Sequence, residues 1–421
     1  MIEKVNPCHP DKVADRIGGA IVDLCYTKSV KPKVACEVLI GHGECNIQVE
    51  TSEQISSEDI ESIVRRIAGD GLETRVLIVP QDIHLAANQR KGVKCGDNGI
   101  FKGVPPTHEQ QLLTDIAASI YERHPHDGKY LIAQDKDLEG IYNLTVCQSH
   151  ASMSEILSTL ECFDYDHYFS KGKSSELCKY IINPLGPWMG GIDVDCGCTN
   201  RKLGSDMGDG VTGGGLNGKD LSKGDVSINI VCFLKAVQSG QVVTAMCSIG
   251  DENVTFQYAD GKTETEPFAD VVEKARRYIM TDCGGFEKFS EWGLIRPRIS
   301  RIMEIITHEN LWWWGKSYTL ILDNGKAMIE VSIEDERPDA ACIQSLLVHE
   351  SVRQHGIANA MLTFAEDKAK KAGCEQVYLC ARKGTFLIPW YERRGYKIYD
   401  DNPEYSKGQT VAMNKYFEDK E

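Results

Sequence analysis

The chain has 421 residues, of which 42% are hydrophobic and 26% charged, and a formal net charge of −15. That length calls for two or three domains, and the composition is that of a soluble globular protein. The acidic balance argues against a general nucleic-acid binder, and no apolar run approaches the ~20 residues that span a bilayer.

The sixteen cysteines do not read as a disulfide framework, because such scaffolds are short and secreted. Cys196-x-Cys198 has no second pair at zinc-ligand spacing, so buried free thiols are the expectation. The first residues lack the apolar core of a signal peptide, which makes a cytoplasmic home the expectation. Beyond residue 300 there are 16 cationic and 19 anionic side chains, leaving about −12 of the net charge in the first 300 residues. A polyphosphate site in that region would need its cations concentrated locally.

In chain order, residues 9–26 predict a helix: Pro10 suits its first position, and Val13, Ile17, Ile21 and Leu24 share one face. Val34–Leu39 and Asn46–Val49 predict paired strands around Gly41-His42-Gly43. A helix at 57–68, a strand at Arg75–Val79, a glycine-containing loop at 88–99 and a helix near 108–122 follow. Tyr130–Ala133 and Ile141–Val146 predict another hairpin, and 269–281 a further helix. Strand pairs alternating with helices indicate an α+β architecture. A break is expected near 297–316, where Trp312-Trp313-Trp314 reads as a domain-contact patch. Beyond it come strands at 318–322, 327–333 and 342–348, a helix at 356–372, a strand at 376–381 and a helix at 386–394, a second α/β unit.

Two stretches carry chemistry. His9-Pro10-Asp11-Lys12 places imidazole, carboxylate and ammonium at a helix start, where free N–H groups favour phosphate; a plain cap would need only Asp11. Residues 188–227 combine Gly190-Gly191, Asp195, Arg201-Lys202, Gly213-Gly214-Gly215, Lys219, Lys223 and Asp225. Glycines let backbone N–H groups approach an anion, the cations neutralise it, and the aspartates can hold the Mg²⁺ that travels with polyphosphates. The plain alternative is a glycine-rich surface loop with scattered charge.

These residues carry a resemblance. His9-Pro10-Asp11-Lys12-Val13-Ala14-Asp15, Ala35-Cys36-Glu37, Gly96-Asp97-Asn98-Gly99 and Asp127-Gly128-Lys129 resemble successive signatures of the S-adenosylmethionine synthetase (methionine adenosyltransferase) family. So do Asp195-x-Gly197-x-Thr199-x-Arg201-Lys202 and Gly213-Gly214-Gly215-…-Gly218-Lys219-Asp220-x-x-Lys223-x-Asp225. The six motifs stand in the family's order over about residues 5–300. The resemblance implies a pseudo-threefold of sheet and helix units and a homodimer or tetramer with shared active sites. It also implies ATP and methionine as substrates, with Mg²⁺ and K⁺ as cofactors. The thioether of methionine would attack ribose C5′ of ATP and expel tripolyphosphate, which is then hydrolysed to phosphate and pyrophosphate.

Carried over by position, the resemblance puts His9 near the bond that breaks, with Asp11 and Asp225 as Mg²⁺ ligands and Glu37 as a K⁺ ligand. Lys129, Arg201, Lys202, Lys219 and Lys223 would line the polyphosphate. Glu50, Gln89, Asp97 and Asp195 would define the methionine and adenosine pocket. Trp188 would stack on adenine, and Asp127, counted with that pocket, is read as a turn residue that positions Lys129. The chain departs from the family at Asn6-Pro7-Cys8, at Val226 and in two shortened loops.

Downstream, Arg353-Gln354-His355-Gly356-Ile357-Ala358 between a strand and a helix, with Ile388-Pro389-Trp390-Tyr391-Glu392-Arg393-Arg394-Gly395-Tyr396, resembles the GNAT N-acyltransferase family over about 317–417. That implies acyl-CoA binding at Arg353, Gln354, Gly356 and Ala358, with Tyr391 as an acid for the departing thiolate or, alternatively, as a core residue. Acetyl-CoA is the implied cofactor. The expected layout is therefore a synthetase-like region at 1–300, a linker at 301–316 and a GNAT-like domain at 317–421. The expected activity is formation of S-adenosylmethionine. Two alternatives stay open: a silent nucleotide- or S-adenosylmethionine-binding protein with a vestigial GNAT domain, and a transferase with another thioether or amine as nucleophile.

Overall fold

The helix Pro10–Lys28 opens the first unit, and its start is specified twice: Pro10 occupies the first turn and the His9 imidazole caps it, accepting the Asp11 N–H. A computed structural model describes residues 1–83, 92–134, 142–161, 163, 178–298, 306–312, 315–322, 327–348, 357–401, 403 and 408–417. The chain divides into two units, Met1–Arg298 and Ile299–Glu421.

The first unit contains three four-stranded sheets. In one, the expected hairpin forms as Val34–Gly41 against Glu44–Thr51, and Glu73–Pro80 adds in parallel after the helix Ser57–Ala68. A second repeats that plan: Gly128–Gln134 pairs antiparallel with Tyr142–Gln148, and Cys178–Ile182 adds in parallel after the helix Met153–Glu161. The short strand Ile2–Val5 completes it. The third is antiparallel throughout, built from Val243–Cys247, Asn253–Tyr258 and Thr263–Pro267 with Gly99–Gly103 at one edge. Its last two strands sit too close in sequence for a crossover helix, so the helix Phe268–Arg277 follows them instead.

Alternation turns one face of each strand inward. Val254, Phe256 and Tyr258 are buried while Asn253, Thr255 and Gln257 are exposed. Ile17 and Ile21 of the first helix join Val38, Ile40 and Val49 in one apolar core that also takes in Val226, Ile230 and Phe268. Each such fully buried aliphatic side chain contributes about 1.5–3 kcal/mol. The helix Asp225–Ser239 escaped the sequence reading because its first nine residues are all buried, which removes clean periodicity. Other elements were also not read, among them the helix Met153–Glu161, the strands Cys178–Ile182, Val243–Cys247, Asn253–Tyr258 and Thr263–Pro267 and the short helix Phe286–Trp292. The expected helix at 269–281 is α-helical only over Phe268–Arg277, and Tyr278–Cys283 continues it as a wider π-type turn.

The second unit is a seven-stranded sheet. Ile306–Trp312, inside the stretch expected to be a linker, is an edge strand paired antiparallel with Gly315–Leu322. Trp313 and Trp314 lie outside the described residues. Ala327–Glu334 and Ala340–Val348 follow, with a register shift at Glu330/Val331. The helix Ile357–Lys371 then leads to Gln376–Arg382, which pairs in parallel with Ala340–Val348. That pairing holds only from Ala340↔Gln376 to Ile343↔Leu379, so the ends at Ser345–Val348 and Cys380–Arg382 are not paired to each other. Among the described residues, no helix is long and apolar enough to cross a membrane, and every cysteine is free.

Candidate active site

The first half of the site forms at the helix start at His9. The His9 ring is buried, its Nδ1 accepts the Asp11 N–H at 3.2 Å, and its Nε2 is buried with no described partner. Burial, with Lys129 and Lys202 nearby, pushes its pKa down to about 3. A neutral ring that accepts at Nδ1 carries its proton on Nε2, so a lone donor waits there. Asp11, also buried, accepts the Cys198 N–H at 2.9 Å and lies 3.5 Å from the Arg201 Nε. Gly197 makes this approach possible, because a Cβ there would sit 2.0 Å from the Pro10 carbonyl oxygen. Lys202 pairs with Glu3 at 3.2 Å, while Lys129 reaches Asp195 at 3.3 Å.

The second half forms where the helix Asp225–Ser239 begins. The Lys219 Nζ lies 2.9 Å from the buried Asp225, whose carboxylate also accepts the Gly215 N–H at 3.1 Å. Burial lowers the Lys219 pKa, but Asp225, Glu37 and Asp97 together outweigh it and raise the value. Lys223 is half-buried two residues before the helix, at the end of the 3-10 turn Leu221–Lys223. Gly218 has φ +73°, and a Cβ there would meet the Cys36 carbonyl oxygen at 2.4 Å. The segment is therefore no surface loop: Leu216, Asn217, Asp220 and Leu221 are all buried. Glu37 projects from the outer face of its strand and accepts the Thr199 hydroxyl proton. Each of the two groups thus carries cations and carboxylates at a helix N-terminus, a setting suited to a highly charged anion.

The substrate-pocket residues are placed less uniformly. Trp188 is half-buried, with the Lys129 ammonium 5.7 Å from its ring centroid. Glu50 accepts the Asp82 N–H at 3.1 Å, and Asp97 is exposed and caps Asn98. Gln89 lies outside the described residues. Asp127 does more than shape a turn. It is buried, accepts the Gly191 N–H at 2.8 Å with Oδ2, and leaves Oδ1 without a partner among the described residues. Ser149 fixes the neighbouring Gly190 N–H at 3.2 Å, so both glycines after Trp188 are tethered from the adjoining sheet.

Burial pushes the Asp127 pKa up to about 6. A raised carboxylate weakens the fold above that pH, and the penalty fades as pH falls from about 6 toward the ordinary 3.8. Asp127→Asn keeps an oxygen for Gly191 and removes the titration. Its melting temperature relative to the wild type should therefore be higher at pH 7.5 than at pH 5. A difference that is unchanged, or that grows on acidification, refutes this account of the buried carboxyl.

Sequence reasoning missed the groups that hold these residues in place. Lys12 is wholly buried, with its Nζ 2.6 Å from Asp206 and 3.1 Å from Asp15. Thr199 fixes Glu37, and Asn200 joins the two glycine segments. Lys12 and Thr199 stand in the motifs quoted above without an assigned role, and asparagine at 200 is one of the few residues that tolerate its φ of +61°. Among the described residues, no group of three or more metal-ligating side chains exists.

In the second unit, Arg353, Gln354 and Gly356 lie outside the described residues, and Ala358 is in the first turn of the helix Ile357–Lys371. Tyr391 is buried against Trp390 and Tyr396 at ring-centroid distances of 4.7 and 5.5 Å, and burial pushes its pKa up to about 12.

Comparison with known proteins decides the family. Residues 1–71 match the model of the S-adenosylmethionine synthetase N-terminal domain. The S-adenosylmethionine synthase of Novosphingobium aromaticivorans is 31% identical over 286 residues, covering 53% of this chain and 69% of that protein. The chain belongs to the S-adenosylmethionine synthase family. The synthase of Brachyspira hyodysenteriae is 28% identical over 312 residues, covering 62% of the chain and 78% of that relative. The solved structure of an unusual S-adenosylmethionine synthetase from Campylobacter jejuni shares the fold with a TM-score of 0.54. That match has 17% identity and covers 70% of this chain and 93% of the other. Residues 293–396 match the acetyltransferase (GNAT) family, so the synthase-family region is fused to a GNAT-type domain.

Proposed function

We propose that the first unit forms S-adenosylmethionine from ATP and methionine, releasing phosphate and pyrophosphate. The observation that carries this reading is the pair of cation-bearing helix starts, Asp11 with Arg201 and Asp225 with Lys219, together with the His9 Nε2–H that has no partner among the described residues. In the reaction the sulfur lone pair forms a bond to C5′, the C5′–O bond breaks, and its electrons leave with tripolyphosphate. The sulfonium needs no proton removed, so the site needs no base. Its work is alignment and stabilisation of the leaving charge. His9 Nε2–H and Arg201 donate to the oxygen end that gains charge, and Lys219 and Lys223 hold the far phosphates. Asp127, through Gly191, orients the Trp188 segment for the adenosine.

The donor set fits hard cations. Asp11 and Asp225 each offer a single carboxylate, which suits Mg²⁺ carried on phosphate oxygens, and Glu37 offers oxygen to K⁺. Bound Mg²⁺ would neutralise charge on the phosphate chain. We further infer self-association through the outer face of the Val34–Gly41 sheet, where Leu39 and Leu77 are 51% and 53% exposed. The free cysteines suit a reducing compartment such as the cytoplasm.

For the second unit we propose acyl-CoA binding where the parallel strands separate beyond Ile343 and Leu379, since unpaired strand edges can receive an amide-bearing chain. The burial of Tyr391 favours a second reading for this unit, a GNAT fold kept for interaction rather than acyl transfer. The test supplies ATP, methionine, Mg²⁺ and K⁺ and follows S-adenosylmethionine by mass, with acetyl-CoA titrated calorimetrically in a separate arm. Product formation is expected. ATP bound without product would replace the enzyme by a binding protein, and no heat with acetyl-CoA would leave the interaction reading for the second unit.

A further inference from the structure

Two buried thiols that the reaction does not use stand against each other. Cys95 precedes the strand Gly99–Gly103, and Cys247 ends the adjoining strand Val243–Cys247, where it pairs with Gly99. The two backbones stay joined beyond that pair. The Cys95 N–H donates to the Asp251 carbonyl at 3.0 Å, and the Gly250 N–H donates to the Cys95 carbonyl at 2.8 Å. Across this bend the Cys247 thiol donates to the Cys95 sulfur, whose own thiol donates to the Asp97 carbonyl at 3.2 Å. Both side chains are buried. Burial pushes the thiols of Cys25 and Cys45 up to about 11 and 12. Cys95 moves the other way, because the hydrogen bond from Cys247 outweighs its burial, and Cys247 is raised in turn. One thiol is thus prepared to ionise beside a second that keeps its proton.

Cys95 also supports a segment that carries expected site residues. Gly224 caps the helix Asp225–Ser239, and a Cβ there would lie 2.7 Å from the Cys95 sulfur. The next amide, Gly96 N–H, donates to the Ser222 carbonyl at 3.0 Å. We propose that Cys95 and Cys247 form a reversible disulfide on exposure to a peroxide, and that this cross-link shifts Asp97 and the helix start at Asp225. Opening of the three backbone bonds around Cys95 and Gly96 admits the oxidant. The Cys95 thiolate attacks one peroxide oxygen, so an S–O bond forms and the O–O bond breaks. The other oxygen leaves as water with the proton that Cys95 gave up. The Cys247 sulfur then attacks the sulfenic sulfur, and the hydroxyl leaves as a second water with the Cys247 proton. Two thiols lose two electrons, and one peroxide gains them. A dithiol reverses the step by thiol–disulfide exchange. The sulfurs must close to about 2.05 Å, well inside the separation of hydrogen-bonded thiols. Cys247 belongs to a strand paired on both edges, whereas Cys95 lies outside any helix or strand, so Cys95 makes the movement. Its sulfur withdraws from Gly224 and gives up the Asp97 carbonyl. The effect on turnover rests on the reaction proposed above; the cross-link does not.

The test exposes the full-length wild type, Cys95→Ser and Cys247→Ala to hydrogen peroxide. One portion is alkylated and mapped by peptide mass without reductant, and another is assayed for S-adenosylmethionine formation before and after dithiothreitol. The exposed Cys196 and Cys380 report that the oxidant has acted. Amide hydrogen exchange over residues 92–98 and 221–228 reads the shift without reference to turnover. The expected result is a peptide joining Cys95 to Cys247, absent after dithiothreitol and from both variants, with faster exchange over both segments. The rate of the cross-linked wild type should fall about 10–100-fold, the scale of a misplacement near 1 Å, and recover on reduction. Oxidised variants should stay within about twofold of their reduced rates. Cys95 and Cys247 left as free thiols while Cys196 and Cys380 oxidise would overturn the proposal. So would a cross-linked wild type with unchanged exchange and unchanged rate. If the reduced wild type makes no S-adenosylmethionine yet forms the cross-link and shows the exchange change, the assigned reaction fails while the redox site stands.

Discussion

Lys219→Ala is expected to lower the rate of S-adenosylmethionine formation by about 10²–10³-fold, the range for removing one preorganised donor from a developing charge. The Lys219 ammonium is four-fifths buried and 2.9 Å from Asp225. In so dry a place its attraction for a polyphosphate is weakly screened. Its removal acts twice. The leaving chain loses a counter-charge, and Asp225, left buried with only backbone donors, repels the anion it formerly helped to hold. Because the charge released as the C5′–O bond breaks spreads along the tripolyphosphate whose far end Lys219 holds, kcat should fall while KM for methionine, a neutral nucleophile at sulfur, changes little. Lys219→Arg keeps the charge and should retain most of the rate. Turnover of Lys219→Ala within about twofold of the wild type would remove this residue from the reaction.

Lys12→Met should destabilise the first unit by about 3–5 kcal/mol, the cost of leaving buried carboxylates without their cation. Burial alone would lower the Lys12 pKa, but Asp206 and Asp15 overcome it and hold the ammonium charged. Without that ammonium, two buried carboxyl groups face each other with one remaining donor each from Asn200 N–H and the Asn217 side-chain amide. At about 2–4 °C per kcal/mol for a domain of this size, the melting temperature should fall by about 6–20 °C. Adding Asp15→Asn and Asp206→Asn to Lys12→Met removes the unpaired charges and should restore more than half of the loss. A single variant that melts within about 2 °C of the wild type would show that the triad carries no net stability.

The sequence was most legible where local chemistry is self-contained. The helix at Pro10 carries its own cap and apolar stripe, and the hairpin around Gly41-His42-Gly43 carries its own turn, so both stand where expected. The helix at Asp225 was illegible because it is buried on every side in its first turns, which erases the polar half of the periodic pattern. Ile306–Trp312 was read as a linker because an edge strand shows its role only through the partner it finds. Asp127 was read as a turn residue, since its bond to Gly191 spans 64 positions of chain.

By itself the sequence determined which chemical groups are available: cations, carboxylates and one imidazole, spaced along motifs that resemble one family. It also determined that two unlike units share one chain. Tertiary structure alone decided which of those groups meet. His9 stays neutral well below the usual pH because the surrounding protein buries it, its tautomer is fixed by the Asp11 N–H, and Lys12 becomes structural because Asp206, far along the chain, closes on it at 2.6 Å. Asn200 joins two segments whose separation in sequence says nothing of their contact. Burial and long-range hydrogen bonds depend on distances in space, and these are set only when the sheets and helices pack.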